Sequence, residues 1–235
     1  MNYIAEKHKE IIKENNDRHR SKMVMVEFYD ILSNTFEPQK LNEVTIDRVL
    51  NKHGNNGMVI ISANRSDLDG QTNNKNTKEL IKDIRQSGFS YFPVYGGYHD
   101  KNSEVVDNYE PSFVVVNYDK NGNVGNIDDL KKFAIDMCGK YNQDSVLIKE
   151  PNKNPHYYDR NGKCLTNSSN KVWKNDINQE FFTSLIKTND LDKNNPDRSK
   201  RFTYDIQFKE CYCNPNPCTI NEKMRRKQSG EILLV

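Results

Sequence analysis

Apolar positions are not spread evenly along the chain. They cluster at 58–63, 89–95, 113–118, 130–138 and 145–148, and polar stretches separate the clusters. MVIISA (58–63) predicts a strand, and the polar turn NRSDLDGQ (64–71) ends it. NNKNTKELIKDIRQSG then places Leu80, Ile81 and Ile84 on one helical stripe and closes on Gly88, a residue suited to a left-handed cap. FSYFPVYGG (89–97) predicts a second strand, with Pro93 at an edge or bulge because proline has no amide to donate. PSFVVVNYD (111–119) is apolar without alternation and predicts a strand inside a sheet. A helix from Ile127 to about Lys140 carries Leu130, Phe133, Ala134 and Met137, and SVLIKE (145–150) predicts a fourth strand.

The flanks read less clearly. Residues 1–22 predict an amphipathic helix with Ile4, Ile11 and Ile12 on one face. MVMVEFYDIL (23–32) fits a strand or a buried helix, and 41–57 predicts a helix stopped by Gly54 and Gly57. Beyond 150, HYYDRNGKCL predicts a hairpin turning at Asn161-Gly162, INQEFFTSLIK a short helix and RFTYDIQF a strand. The fold class expected is therefore α/β: a mixed sheet of four to five strands with crossover helices, a helical N-terminal extension and an irregular C-terminal one. The expected division is 1–57 (N-terminal extension), 58–165 (α/β core) and 166–235 (C-terminal extension).

Composition changes this picture little. Apolar residues make up 34%, and 35 basic against 33 acidic side chains leave a net charge of +2. So balanced a charge gives no large field to draw the protein onto nucleic acid or a membrane. The basic run Lys223, Arg225, Arg226 and Lys227 is the one candidate for contact with nucleic-acid phosphates, and it also fits a solvated tail. No stretch reaches the apolar length of a membrane span, and the first residues lack the apolar region of a signal peptide. Five cysteines are expected as reduced thiols. Cys211, Cys213 and Cys218 have the most metal-like spacing, but three thiolates fall short of a closed four-ligand site, so no metal and no cofactor is expected.

Strand direction gathers the polar residues. With the first two strands running the same way and the third antiparallel, Asn64, Arg65, Ser66, Gly96, Gly97, His99, Glu110, Ser112, Gln143 and Asp144 are expected at one edge. That edge offers a guanidinium, a carboxylate, hydroxyls, a histidine and glycines, a set suited to a phosphate-bearing ligand. It equally suits a tight turn or a docking surface, with Glu110 paired to Arg65. Trp173, Phe181 and Phe182 serve either as a partner anchor or as a small second core. The chain contains no phosphate-binding glycine loop, HExxH or G-x-S-x-G.

The order ISANRS, NNKNTKELIKDIRQSGF, VYGGYHD, YEPSFVVV and YNQDSVLIKE resembles a small α/β domain of unknown function found in bacteria and tailed bacteriophages, over about residues 58–165. Its pattern falls on Asn64, Arg65, Asn76, Gly96, Gly97, Glu110, Ser112, Phe113, Tyr141, Gln143 and Asp144. The chain departs from it in having Glu110-Pro111 where that pattern has two acidic residues. The resemblance implies a phage or mobile-element origin and names no reaction. On this basis the expected function is a non-enzymatic virion or assembly component, built in the host cytoplasm and binding copies of itself or other phage structural proteins. The alternatives are a phosphate- or nucleotide-binding enzyme acting at Arg65, His99 and Glu110, and a factor that binds one bacterial host protein.

Overall fold

The computed structural model describes residues 24, 27, 28, 30–35, 44–99, 107–175, 181–186 and 200–209. The expected helix at 1–22 and the C-terminal cysteines and basic run lie outside them. Eight strands form one sheet: β1 (Met58–Ser62), β2 (Ser90–His99), β3 (Asp107–Val116), β4 (Val146–Lys149), β5 (His156–Tyr158), β6 (Thr166–Lys174), β7 (Phe181–Leu185) and β8 (Arg201–Phe208). Their order is β5-β4-β1-β3-β2-β7-β8-β6, and every neighbouring pair is antiparallel.

Two long helices lie among the described residues. In α1 (Gly70–Ser87) the Asp69 carboxylate caps the first turn, accepting the Thr72 amide at 2.9 Å and the Thr72 hydroxyl at 2.6 Å. Its buried positions Asn73, Thr77, Leu80, Ile81 and Ile84 follow helical spacing, and Gly88 ends it at φ 82°. In α2 (Ile127–Lys140) the Asn126 side chain caps the Asp128 amide. Asp128 and Asp129 at its start and Lys140 at its end complement the helix dipole. The described residues between 24 and 33 are helical as well, which resolves the ambiguity at 23–32.

The α/β expectation is corrected here: the sheet is antiparallel, eight-stranded and nearly closed into a barrel, with few helices. β1 and β2 run the same way, but β3 lies between them and pairs with both, Ile61 with Phe113 and Pro93 with Phe113. An 18-residue helix is about 27 Å long. It spans an inserted strand as easily as none, so local sequence could not reveal the insertion.

The C-terminal reading is corrected too. Phe181–Leu185 is a strand against β2, where a helix was expected, and Thr166–Lys174 forms a strand with a bulge between Ser168 and Val172. The unpaired side of β2 supplies the hydrogen bonds that decide in favour of the strand. Pro93 sits one residue before that second pairing begins at Val94, so its missing amide leaves no gap in the ladder. The two ends of the sheet then approach. Tyr158 bridges Cys164, the Leu165 amide donates to Tyr157 O at 2.8 Å, and the Lys209 amide donates to Leu165 O at 2.9 Å.

Each face of the sheet has its own core. The outer face, with Val59, Ile61, Phe113, Val115, Val146 and Ile148, packs under α1, α2 and Phe28, Ile31 and Leu32. The inner face brings Met58, Val94, Val114, Leu147, Leu185, Phe202 and Tyr204 together across the barrel, with Val49 from the π-helical turn Arg48–His53 against them. Alternation along each strand assigns every side chain to one of these faces.

Candidate functional site at the barrel mouth

Where β1 and β2 end, the inner face changes from apolar to polar. Ser62 pairs with Ser112 across β1 and β3, and Gly96 pairs with Glu110 across β3 and β2 and with Thr183 on β7. The Ser62 hydroxyl donates to Pro111 O at 2.8 Å and accepts the Asn64 amide at 3.0 Å, which fixes the chain as it leaves β1. Gly96 permits a close approach: a Cβ there would lie 2.7 Å from Ser112 Oγ and 3.2 Å from Glu110 Cγ. The exposed Glu110 is therefore seated beside bare backbone.

Aromatic rings border this carboxylate. Tyr157 stacks on Phe208 with centroids 5.4 Å apart and planes at 24°, and Phe181 meets Phe208 edge-on at 6.4 Å. Burial, and then the negative charge of Glu110, push the Tyr157 hydroxyl up to about 12. The phenol thus stays protonated as a donor, within electrostatic reach of Glu110.

The outer rim has a different character. Asn73 Oδ1 accepts the Arg65 amide at 2.9 Å, and its Nδ2 donates to Arg65 O at 2.9 Å and Leu68 O at 3.3 Å, which shapes the turn after β1. Asn64 Oδ1 accepts from Thr77 at 2.8 Å, and Gln143 Nε2 donates to Asn64 O at 3.1 Å. Arg65 grips its neighbour Asp67 with Nε at 2.8 Å and Nη2 at 2.7 Å, and its Nη1 donates to Asn142 O. The Asp67 hydrogen bond holds the guanidinium pKa above its usual value, with a smaller charge contribution from exposed Asp144.

The expected edge residues thus fall into two groups. Asn64, Arg65, Gln143 and Asp144 meet on the outer rim; Gly96, Glu110 and Ser112 meet at the inner mouth. Ser66 is exposed on the turn, and Gly97 faces the other way, where a Cβ would lie 2.4 Å from the Phe182 ring. His99 is placed by its backbone opposite Asp107, with its side chain outside the described residues. Of the other residues in the resemblance pattern, Phe113 is core, the Tyr141 hydroxyl donates to Asp83 at 2.5 Å and Asn76 is half-buried on α1.

Sequence reasoning did not include Ser62, Tyr157, Thr183 and Phe208 in the site, and it gave Phe181 a different role. The available signal was strand parity: once 181–185 and 201–208 are strands, residues 181, 183 and 208 fall on the face of Gly96. Among the described residues no cluster of three or more metal-type ligands occurs, and no helix is long and apolar enough to cross a membrane. A depression of about 580 Å³ runs along the exposed face of α1 between Gln71 and Lys82. All its lining comes from that one helix, so no groups converge there from other elements.

The barrel mouth brings a carboxylate, hydroxyls and part-exposed aromatic rings together from separate strands, a set of groups whose chemistry suits a small organic ligand. The chain belongs to the S-adenosylmethionine lyase family, whose model matches residues 59–213, about two thirds of the sequence and nearly all of the sheet. A search of curated proteins found no match. The family match overturns the resemblance to a phage domain of unknown function. It overturns the expectation of a non-enzymatic virion or assembly protein with it, because the family is one of enzymes. The error has a physical source: the mouth residues sit singly on separate strands, so no contiguous motif announces them.

Proposed function

We propose that this protein cleaves S-adenosylmethionine at the inner mouth of the barrel. The family match across the sheet carries the reading. The chemistry of the mouth supports it, since the substrate is a sulfonium and an ammonium cation joined to a flat base. Glu110 supplies a negative charge for the cationic amino-acid end, and Tyr157 and Ser112 supply hydroxyls beside it.

A lyase step breaks a carbon–sulfur bond, and the electron pair goes to sulfur, which leaves as a neutral thioether. When the substrate's own carboxylate attacks its γ-carbon, a lactone closes and methylthioadenosine departs; the atoms of the two products sum to those of the substrate. Positive charge on sulfur and negative charge on the carboxylate both disappear along this path. Apolar surroundings favour a transition state less charged than its ground state, and such surroundings are what Val94, Val114 and Leu185 provide beneath the mouth. The chain's contribution is then to orient the substrate and exclude water, with Glu110 holding the ammonium group so that the substrate carboxylate is free to attack.

The test incubates the full chain with S-adenosylmethionine and separates the products by mass. Methylthioadenosine formed faster than spontaneous decay supports the reading, and Glu110→Gln is expected to lower the rate about 100-fold or more while the protein stays folded. A substrate that decays no faster with protein than without it overturns the reading.

A further inference from the structure

We propose that Arg201 is a positioning residue of the mouth: through the Tyr109 hydroxyl it fixes the stretch of strand that presents Glu110. The inference rests on the lyase reading for the part Glu110 plays in binding, but its argument is geometric. β1 pairs with β3 only as far as Ser62 opposite Ser112, whereas β2 pairs with β3 on to His99 opposite Asp107. From Asp107 to Glu110, then, β2 is the one strand beside β3 among the described residues. Glu110 stands on a ladder held along one edge, and backbone held in that way opens locally with little cost.

Side chains on the outer face supply the missing hold. Tyr109 and Glu110 are consecutive on β3, so they point to opposite faces of the sheet. Tyr109 is 8% exposed and meets Tyr95 at 5.7 Å and Phe182 at 5.8 Å, both edge-on. Its hydroxyl accepts a hydrogen bond from Arg201 Nη2, which comes from β8, with β2 and β7 lying between the two strands. Gly97 leaves room for this contact. The Phe182 ring occupies the space a side chain there would take, and the Arg201 guanidinium lies 4.2 Å from the centroid of that ring. Arg201 is 2% exposed. Taking a guanidinium out of water is costly, and an apolar side chain of similar volume would serve packing as well. What the guanidinium adds is direction, because its rigid fork and flat face hold the Tyr109 hydroxyl and the Phe182 ring at once.

The experiment measures dissociation constants for two probes: S-adenosylhomocysteine, which carries the ammonium group that Glu110 would hold, and methylthioadenosine, which lacks it. Tyr109→Phe keeps the ring and removes the hydroxyl that Arg201 grips. It is expected to weaken S-adenosylhomocysteine about tenfold and to change methylthioadenosine less than about twofold. A merely structural role would move both probes together or neither. In a Glu110→Gln background the same substitution should change S-adenosylhomocysteine less than about twofold, because the effect passes through the carboxylate. Equal losses for both probes, unchanged S-adenosylhomocysteine binding, a loss that persists in Glu110→Gln, or no binding of S-adenosylhomocysteine by the wild type would overturn the proposal. If Tyr109→Phe does not fold, Arg201→Lys, which keeps the charge and loses the fork, is read against the same outcomes. The two readings fail separately. A selective loss in Tyr109→Phe without cleavage of S-adenosylmethionine by the wild type overturns the lyase reading alone, and cleavage with unaltered probe binding in Tyr109→Phe overturns the positioning role alone.

Discussion

Gly96 and Glu110 face each other across the β2–β3 ladder, and the missing side chain of the first makes room for the carboxylate of the second. Adding a methyl group at Gly96 forces Ser112 Oγ and the Glu110 stem to move, since both fall inside ordinary contact distance. Gly96→Ala is therefore expected to lower kcat/KM for S-adenosylmethionine cleavage about tenfold or more, because misplacement by an ångström is costly to a positioned reaction. Initial rates beside a urea titration check this, and the rate should fall by more than the stability loss explains.

The next residue makes the contrasting case. Gly97 faces the outer core, and a Cβ there would overlap the buried Phe182 ring at 2.4 and 2.5 Å. Gly97→Ala is expected to cost about 1–3 kcal/mol of stability by overpacking. The activity of the folded fraction should change less than in Gly96→Ala. A urea midpoint equal to wild type would count against this packing.

Asn73 sustains the turn after β1 through three side-chain hydrogen bonds to backbone atoms. Asn73→Ala leaves part-buried backbone groups of Arg65 and Leu68 without those partners and is expected to cost about 1–2 kcal/mol. Hydrogen exchange at the Arg65 amide should quicken in the variant; unchanged protection would refute the assignment.

His53 links stability to pH. Its ring is buried between Phe92 and Tyr118, and its Nδ1 has no hydrogen-bond partner. Burial first, and then the charges of Arg48 and Lys52, lower its pKa from 6.5 to about 4. The unfolded chain therefore binds a proton between about pH 6.5 and 4 that the folded chain refuses. The stabilisation is present above pH 6.5 and lost as pH falls towards 4, by up to about 3 kcal/mol. His53→Phe should flatten this part of the stability curve relative to wild type, as read from urea midpoints at pH 7 and pH 5. Identical slopes for the two proteins would show that His53 does not titrate there.

Much of the local structure was legible because local physics sets it. Leu80, Ile81 and Ile84 mark the buried stripe of α1, Gly88 its left-handed cap, and the Val114–Val116 run the centre of the sheet. RFTYDIQF reads as a strand by alternation and is one. INQEFFTSLIK was misread because Phe182, Leu185 and Ile186 fit either period, and the choice falls to the open side of β2, a partner some 85 residues earlier in the chain. The same limit applies to the mouth. Glu110 and Gly96 stand out as an acidic residue and a glycine beside apolar runs. Tyr157 and Phe208 look like ordinary strand aromatics until the sheet curls and stacks them.

The sequence by itself determined which segments are apolar, where helices begin and end, and which face each strand residue takes once its strand is known. These follow from backbone periodicity and capping, which act over a few residues. Tertiary structure alone decided that β3 inserts between β1 and β2, that β7 takes the free side of β2, and that β5 approaches β6 to close the barrel. Those choices depend on hydrogen bonds and burial between distant segments, to which local periodicity is blind. The mouth that joins Glu110 to three aromatic rings exists only because they were made.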